Sequence, residues 1–429
     1  MLPECRKDGY LYTIPACQIT IPDVEAFVEA LKSFHEQVAE CFVRSEPREH
    51  FYHYLVGPLS HLERKSIEPI AVNVSGKETV RSMQRAVSDA VWDEPKMLSR
   101  YQAMVAEEMG EPDGVVMFDA AGFVKKGKCS AGVARQDCGT IGKVENCQVG
   151  VFMGDASRSG DALVDKRLFF PEQWFEEAYA DRRKLCGVPE DVSFQSNPQY
   201  AAEMLLTCYQ EGILRFKYIV ADTLYGNSLD FIEAAEQGRG TTYCVSMPAD
   251  TQCWLQRPVT TTKTYRYQGD VRTKRVLKAP KQDPMTFEQF AKGLHQHFWH
   301  TRTVSEGTKG PIEYEFARRR VTLAKDGLPY KTVWLVSKRT LEDEPTYWYY
   351  VSNASRSARL SLFVWLRGVR WAIEQCFQET KGELGMDHYE VRKYSGWHHH
   401  ILTCLLAHFF CGISSSRWEN GHRLSPCPN

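Results

Sequence analysis

The sequence predicts an α/β protein: an all-helical N-terminal region, then a core of strands and helices interrupted by a β-rich, basic segment. Three observations carry this. Apolar residues recur at three- and four-residue steps up to about residue 110. The turn cluster Glu111-Pro112-Asp113-Gly114 then opens a stretch of short apolar runs separated by glycines. From about 250 to 355 the chain is rich in Thr, Val, Tyr, Trp and Arg, and helical text returns after Ser361.

Taken in order, the stretch from Val24 places Phe27, Leu31, Phe34 and Val38 on one helical face. Thr20 or Asp23 serves as its N-cap, and Pro22 is tolerated at a helix start. Helical text resumes from Val74 through Trp92 and again from Pro95 to Met109. After the turn cluster, GVVMFDAAGF is an apolar run reaching Asp119, and SAGVARQDC and NCQVGVFMG complete a meander of three strands. Helices are expected near Pro171–Leu185 and Pro198–Glu211. FKYIVADTLYG is a buried strand ending at Asp222, followed by a helix in SLDFIEAAEQG and a strand in TTYCVSMPA. The segments TTTKTYRYQGDVRTKRVLK, YEFARRRVTLA, KTVWLVSKRT and TYWYYVSN are strands joined by polar turns, and one helix is expected from Ser361 through Lys381.

Composition narrows the class. The chain is 43% hydrophobic and 25% charged, enough to bury a core and too apolar for disorder. Its net charge of -1 excludes a uniformly basic nucleic-acid coat. The longest apolar stretch, Ile401 to Ile413, is too short to span a bilayer, and the opening MLPECRKDGY lacks the apolar core of a signal peptide. The expectation is a cytoplasmic protein with no membrane partner. The fourteen cysteines include no CxxC pair, and Cys129, Cys138 and Cys147 are nine apart, so they read as reduced thiols. Charge is unevenly spread. Residues 251–370 hold 22 Lys/Arg against 10 Asp/Glu, whereas residues 1–110 hold 12 against 17 and residues 111–250 hold 14 against 21. The basic segment is either a solvated β-rich surface or a phosphate-facing one.

Asp119 and Asp222 each end an apolar strand, where an acid caps a turn or serves a site. Ligand sites of α/β sheets lie off such strand ends. In FVWLRGVRWAIEQCFQETKGELG, Arg370, Glu374 and Lys381 follow Arg367 by 3, 7 and 14 residues. On one continuous helix the four share a stripe, bordered by Trp371, with Ile373 turned toward a core. Cations around one carboxylate suit a metal-ligating acid among phosphate-holding side chains, or else an exposed face with pairs such as Arg370–Glu374.

These residues resemble a known family. Arg370-x3-Glu374-x6-Lys381, after Asp119 and Asp222, is similar to the signature of bacterial insertion-sequence DDE transposases of the group named for a YREK motif. The wider text is most like the seven-oh-one insertion-sequence family: GFVKKGK, GTIGKVENCQVGVF, DKRLFFPEQW, ADTLYGNS and LGMDHYEVRKYSGWHHH, spread over about residues 45 to 410. Arg367 stands where that pattern has Tyr, and Ala120 and Ala121 follow Asp119 where relatives commonly show an acid and then Ser or Thr.

The resemblance implies an RNase H-like (retroviral-integrase-like) catalytic core interrupted by a β-rich insertion and preceded by an all-α domain. Its parts are a helical DNA-end-binding domain at 1–110, the first part of the core at 111–250, the basic insertion at 251–355, and the second part of the core with the catalytic helix at 356–429. It implies Asp119, Asp222 and Glu374 as catalytic residues and ligands of two Mg²⁺ ions, with Mn²⁺ as a substitute. Arg367, Arg370, Lys381, Lys125 and Lys126 would contact DNA, and Trp348 and Trp371 are candidates to hold a base, against the alternative that both are core. The partners implied are double-stranded DNA (terminal inverted repeats and target) and a second copy of the chain, in a bacterial, nucleoid-associated setting. Two other readings share these residues: a catalytically silent DNA-binding repressor, and an RNase H-like nuclease without a joining step. His398, His399 and His400 carry no assigned role, since three consecutive histidines on a helix cannot all face one ion.

Overall fold

The computed structural model describes residues 20–268, 270–279, 283–307 and 310–419. The opening stretch MLPECRKDGY lies outside them. Five helices come first: α1 (Ile21–Glu36), α2 (Ser45–Val56), α3 (Ile67–Val74), α4 (Val80–Ser88) and α5 (Glu94–Glu108). Thr20 caps α1 through a box with Asp23, whose Oδ2 accepts from the Thr20 amide at 2.9 Å. The helix expected from Val74 to Trp92 begins only at Val80, because the chain turns at Gly76, whose φ of +102° a side chain would strain.

Next come β1 (Val115–Val124), β2 (Ala134–Cys138), β3 (Lys143–Ala156), β4 (Asp161–Phe169), α6 (Ala180–Leu185), α7 (Asn197–Glu211), β5 (Tyr218–Ala221), α8 (Thr223–Gly226), α9 (Leu229–Gln237) and β6 (Thr242–Met247). The β-rich stretch holds β7 (Gln252–Trp254), β8 (Thr260–Tyr267), β9 (Asp270–Leu277), β10 (Met285–Thr286), α10 (Phe287–Lys292), β11 (His300–Gly307), β12 (Gly310–Lys325), β13 (Leu328–Arg339) and β14 (Tyr347–Ser352). Helices α11 (Leu360–Val369), α12 (Trp371–Gly382) and α13 (Tyr394–Glu419) close the chain. The protein is thus mixed α/β.

The chain forms two compact units. One comprises the described residues within Met1–Gly114, Asp119–Arg215 and Ala372–Asn429. In it β3 pairs antiparallel with β2 and β4, and the long helix α13 runs through an aromatic core. Phe27 and Phe34 of α1 meet Phe410 at 5.2 Å each, and Tyr101 of α5 meets Phe409 edge-on at 5.7 Å. The three consecutive histidines sit on α13 and are buried, each with its own partner. His399 stacks on Trp92 at 4.0 Å with its Nδ1 on the Val87 carbonyl, and His400 bonds Tyr54 Oη at 2.7 Å. His398 Nδ1 faces Lys166 Nζ at 3.2 Å. His399 and His400 tie α13 to the N-terminal region, and His398 ties it to β4. Among the described residues no group of three or more His, Cys, Asp or Glu is arranged to hold a metal ion.

The second unit comprises Val115–Phe118 and Phe216–Trp371. Its sheet is parallel at one end and antiparallel beyond. The first half of β1 and then β6 flank β5 in parallel, and β6 continues antiparallel through β14, β13, β12, β7 and β10, with β11 also on β12. Helix α11 packs on this sheet through Phe363, 6.0 Å from the Trp334 ring. Strands β8 and β9 form a separate two-stranded hairpin. The described cysteines are all free thiols, and no helix among the described residues is long and apolar enough to cross a membrane.

Candidate active site and its surroundings

Asp119 does not end its strand. β1 continues five residues further, to Val124; what ends at Phe118 is the parallel ladder with β5. That ladder pairs Phe118 with Ala221, so Asp119 and Asp222 are the residues that follow its last pair. The run Asp-Ala-Ala-Gly reads as a strand break because Asp and Gly are poor strand formers, yet the place of β1 beside β3 in the sheet overrides that preference. Asp119 is half-buried, and its Oδ1 accepts from the Ala120 amide at 2.8 Å. Asp222 caps α8, taking the Leu224 amide at 2.9 Å on Oδ1. The capping role and the strand-end position foreseen for Asp222 therefore coexist.

Ala120 packs against a buried cluster of Cys138, Cys147 and Val149. Burial pushes the Cys147 thiol up to about 12, so the cluster is a neutral, apolar neighbourhood. An acid at 120 would enter that cluster.

The expected single helix over 361–381 is two helices. α11 ends at Val369 with Arg370 as its C-cap, and α12 starts at Trp371. The count that put Arg367, Arg370, Glu374 and Lys381 on one stripe therefore runs across a break. Gly368, a weak helix former, lies just before it. A Cβ there would sit 3.3 Å from the Val304 carbonyl oxygen, so its bareness allows α11 to approach β11. Glu374 lies in the first turn of α12, half-buried. Lys381, one helix length later, donates to the Gly122 carbonyl at 3.1 Å and to Thr140 Oγ1 at 3.0 Å, and lies 5.0 Å over the Phe123 ring. Burial lowers its pKa, with Asp387 opposing the shift. It fastens α12 to β1.

Lys125 also turns inward. Its Nζ lies 3.2 Å over the Tyr389 ring and donates to the Tyr389 carbonyl at 2.9 Å, and burial lowers it to about 7. Lys126 is exposed. Of the two tryptophans, Trp371 is 61% exposed at the start of α12, whereas Trp348 is half-buried, with Lys338 Nζ 4.1 Å over its ring. Arg367 lies 4.2 Å over the buried ring of Tyr350. Lys338 and Tyr314 carry no motif in the sequence, being a lysine and a tyrosine on two adjacent strands.

In donor chemistry, Asp119 and Asp222 suit a hard divalent cation, since both offer carboxylate oxygens only. A three-carboxylate cluster is not assembled among the described residues.

No curated protein matches the chain. Among solved structures it matches a cryo-EM structure of the piggyBac transposase synaptic complex with hairpin DNA, at 9% identity over 94% of this chain and 74% of that one, with a TM-score of 0.45. A family model described as DDE superfamily endonuclease matches residues 37–311. That span is most of the chain and includes Asp119 and Asp222, and the chain belongs to the DDE superfamily endonucleases.

Proposed function

We propose that this endonuclease is a DNA transposase of the insertion-sequence kind, similar to the YREK group and the seven-oh-one family, built on an RNase H-like core. It cuts the ends of its mobile element and joins them to target DNA. The observation that supports this most is the position of Asp119 and Asp222 directly after the last parallel pair of β1 and β5, within a chain of the DDE superfamily. Adjacent parallel strands that each lead into an acid bring oxygen ligands to the sheet end where α/β proteins bind substrates.

In this reading Asp119 and Asp222 would hold Mg²⁺, or Mn²⁺ in its place, and Glu374 would complete the set. A divalent ion held there would supply activation of an oxygen nucleophile and neutralisation of charge. The chain's own residues do the rest. The α8 amides that bond Asp222 Oδ1 fix its carboxylate. Lys381 holds α12 against β1 and so fixes the helix that carries Glu374. Arg367, Arg370 and the exposed Lys126 supply phosphate contacts, Arg being suited to bidentate ones. Trp371, exposed at the start of α12, offers a stacking face worth about 1–3 kcal/mol per base. The partners are the terminal inverted repeats, target DNA and a second copy of the chain.

The test is cleavage of end-labelled DNA carrying the repeats that flank the gene, with and without Mg²⁺, beside Glu374→Gln. Metal-dependent cuts at the repeat boundary, lost in the variant, are expected. Binding without cutting would replace this reading with a DNA-binding repressor.

A further inference from the structure

On one face of β12, β13 and β14 aromatic rings and cations gather, while the Glu315–Arg339 ion pair lies on the other. The register sets Lys338 of β13 opposite Trp348 of β14 and Val336 opposite Tyr350. With a side-chain period of two, Lys338, Trp348 and Tyr350 share one face. Lys338 Nζ lies 4.2 Å over the Tyr314 ring and 4.1 Å over Trp348, and those two rings meet edge to face at 5.8 Å. On the same face Arg367 covers Tyr350 at 4.2 Å, and its Nε and Nη1 are buried with no hydrogen-bond partner. Burial first, and then the Arg367 charge, hold the Lys338 ammonium down to about 8. Among the described residues no carboxylate forms an ion pair with either cation.

Two like charges brought together under partial burial oppose folding, and two donor nitrogens without acceptors add to that cost. Apolar side chains would serve this sheet face better if packing were its only task. An oxyanion beside the half-buried Lys338 ammonium supplies the missing charge and accepts from it, with the Arg367 charge adding to its attraction from beneath. The exposed Arg302, paired with Tyr314 in the register, carries positive charge outward to β11. Cations set on neighbouring strands suit a polyanion such as a DNA backbone.

We infer that Lys338 and Arg367 form an anion site for one backbone phosphate of DNA, walled by Tyr314 and Trp348. This rests on the reading of DNA as substrate and adds to it a residue that no motif marks.

The experiment measures binding of a labelled duplex carrying the element ends to the full chain, without metal, over a series of salt concentrations. Lys338→Met should weaken binding about tenfold at low salt and reduce the salt slope by about one, whereas Lys338→Arg keeps the slope. The unfolding midpoint of Lys338→Met should not fall, because a repelling charge has gone. An unchanged affinity and slope would overturn the inference. So would a lowered midpoint with an affinity loss that Lys338→Arg does not rescue, which would make Lys338 a packing residue. Inorganic phosphate that raises the midpoint of the parent but not of Lys338→Met, with the DNA slope unmoved, would assign the site to free phosphate instead. Lys338-dependent binding without metal-dependent cutting would sink the cleavage reading alone. Cutting with Lys338-independent binding would sink the inference alone.

Discussion

Two single residues show how much one neighbour decides. Asp155 on β3 is buried, its Oδ1 has no hydrogen-bond partner, and burial raises its pKa to about 7. In the unfolded chain an Asp titrates near 3.9, so between about pH 4 and 7 the folded state holds the extra proton and stability falls as pH rises. Asp155→Asn should therefore raise stability at pH 8 by about 2–4 kcal/mol and change little near pH 4, read by urea unfolding at the two pH values. Equal effects at both would mean that Asp155 ionises normally. Ala120 makes the second case. Beside the insertion-sequence pattern it resembles, it marks a missing acid; packed against Cys138, Cys147 and Val149, it is a small apolar residue in an apolar cluster. Ala120→Asp should cost about 1–3 kcal/mol in stability rather than improve cleavage, which thermal unfolding and the cleavage gel check together.

At the scale of elements, legibility followed local chemistry. The α1 cap, the α7 and α9 helices and the β5 and β6 strands were readable because capping residues and apolar periodicity sit within each segment. The strand β1 and the helix pair α11–α12 were not, because their limits are set from outside. β1 runs past Asp119 although its β5 pairing stops at Phe118, and α11 gives way beside Gly368, where the backbone nears Val304. No periodicity in the segment itself announces either. The inward turn of Lys125 and Lys381 belongs here too, since a lysine's partners, Tyr389 and the Gly122–Thr140 turn, are far away in sequence. The histidine run shows the same dependence. Its role as a seam joining α13 to the N-terminal region and to β4 lies in Trp92, Val87, Tyr54 and Lys166, none of them adjacent in sequence. That seam includes a buried ion pair. Burial alone would raise the Glu94 carboxyl, but Lys166, with His398 and Arg167, pulls it down to about 2. Glu94→Gln leaves Lys166, 1% exposed, without its counter-charge and should cost about 3–5 kcal/mol in denaturant unfolding. A loss under about 1 kcal/mol would show that the lysine finds another partner or gives up its proton.

For the whole molecule, the charge pattern of the sequence and the fold tell one story about the stretch from 251 to 370. Its surplus cations are spread over β-strands, and those on the β12–β14 face are interleaved with aromatic rings. Membership of the DDE superfamily makes the chain an endonuclease by family, and the proposed site draws two of its acids from the ends of the β1–β5 ladder. What separates a transposase from a plain nuclease is the joining step. The decisive measurement is therefore transfer of labelled, pre-cut element ends into a supercoiled plasmid with Mg²⁺, for the parent chain and for Asp222→Asn. Label is expected to be covalently attached to plasmid by the parent and not by the variant. Cut ends that are never joined would reduce the protein to a nuclease, and joining that survives Asp222→Asn would remove Asp222 from the active site.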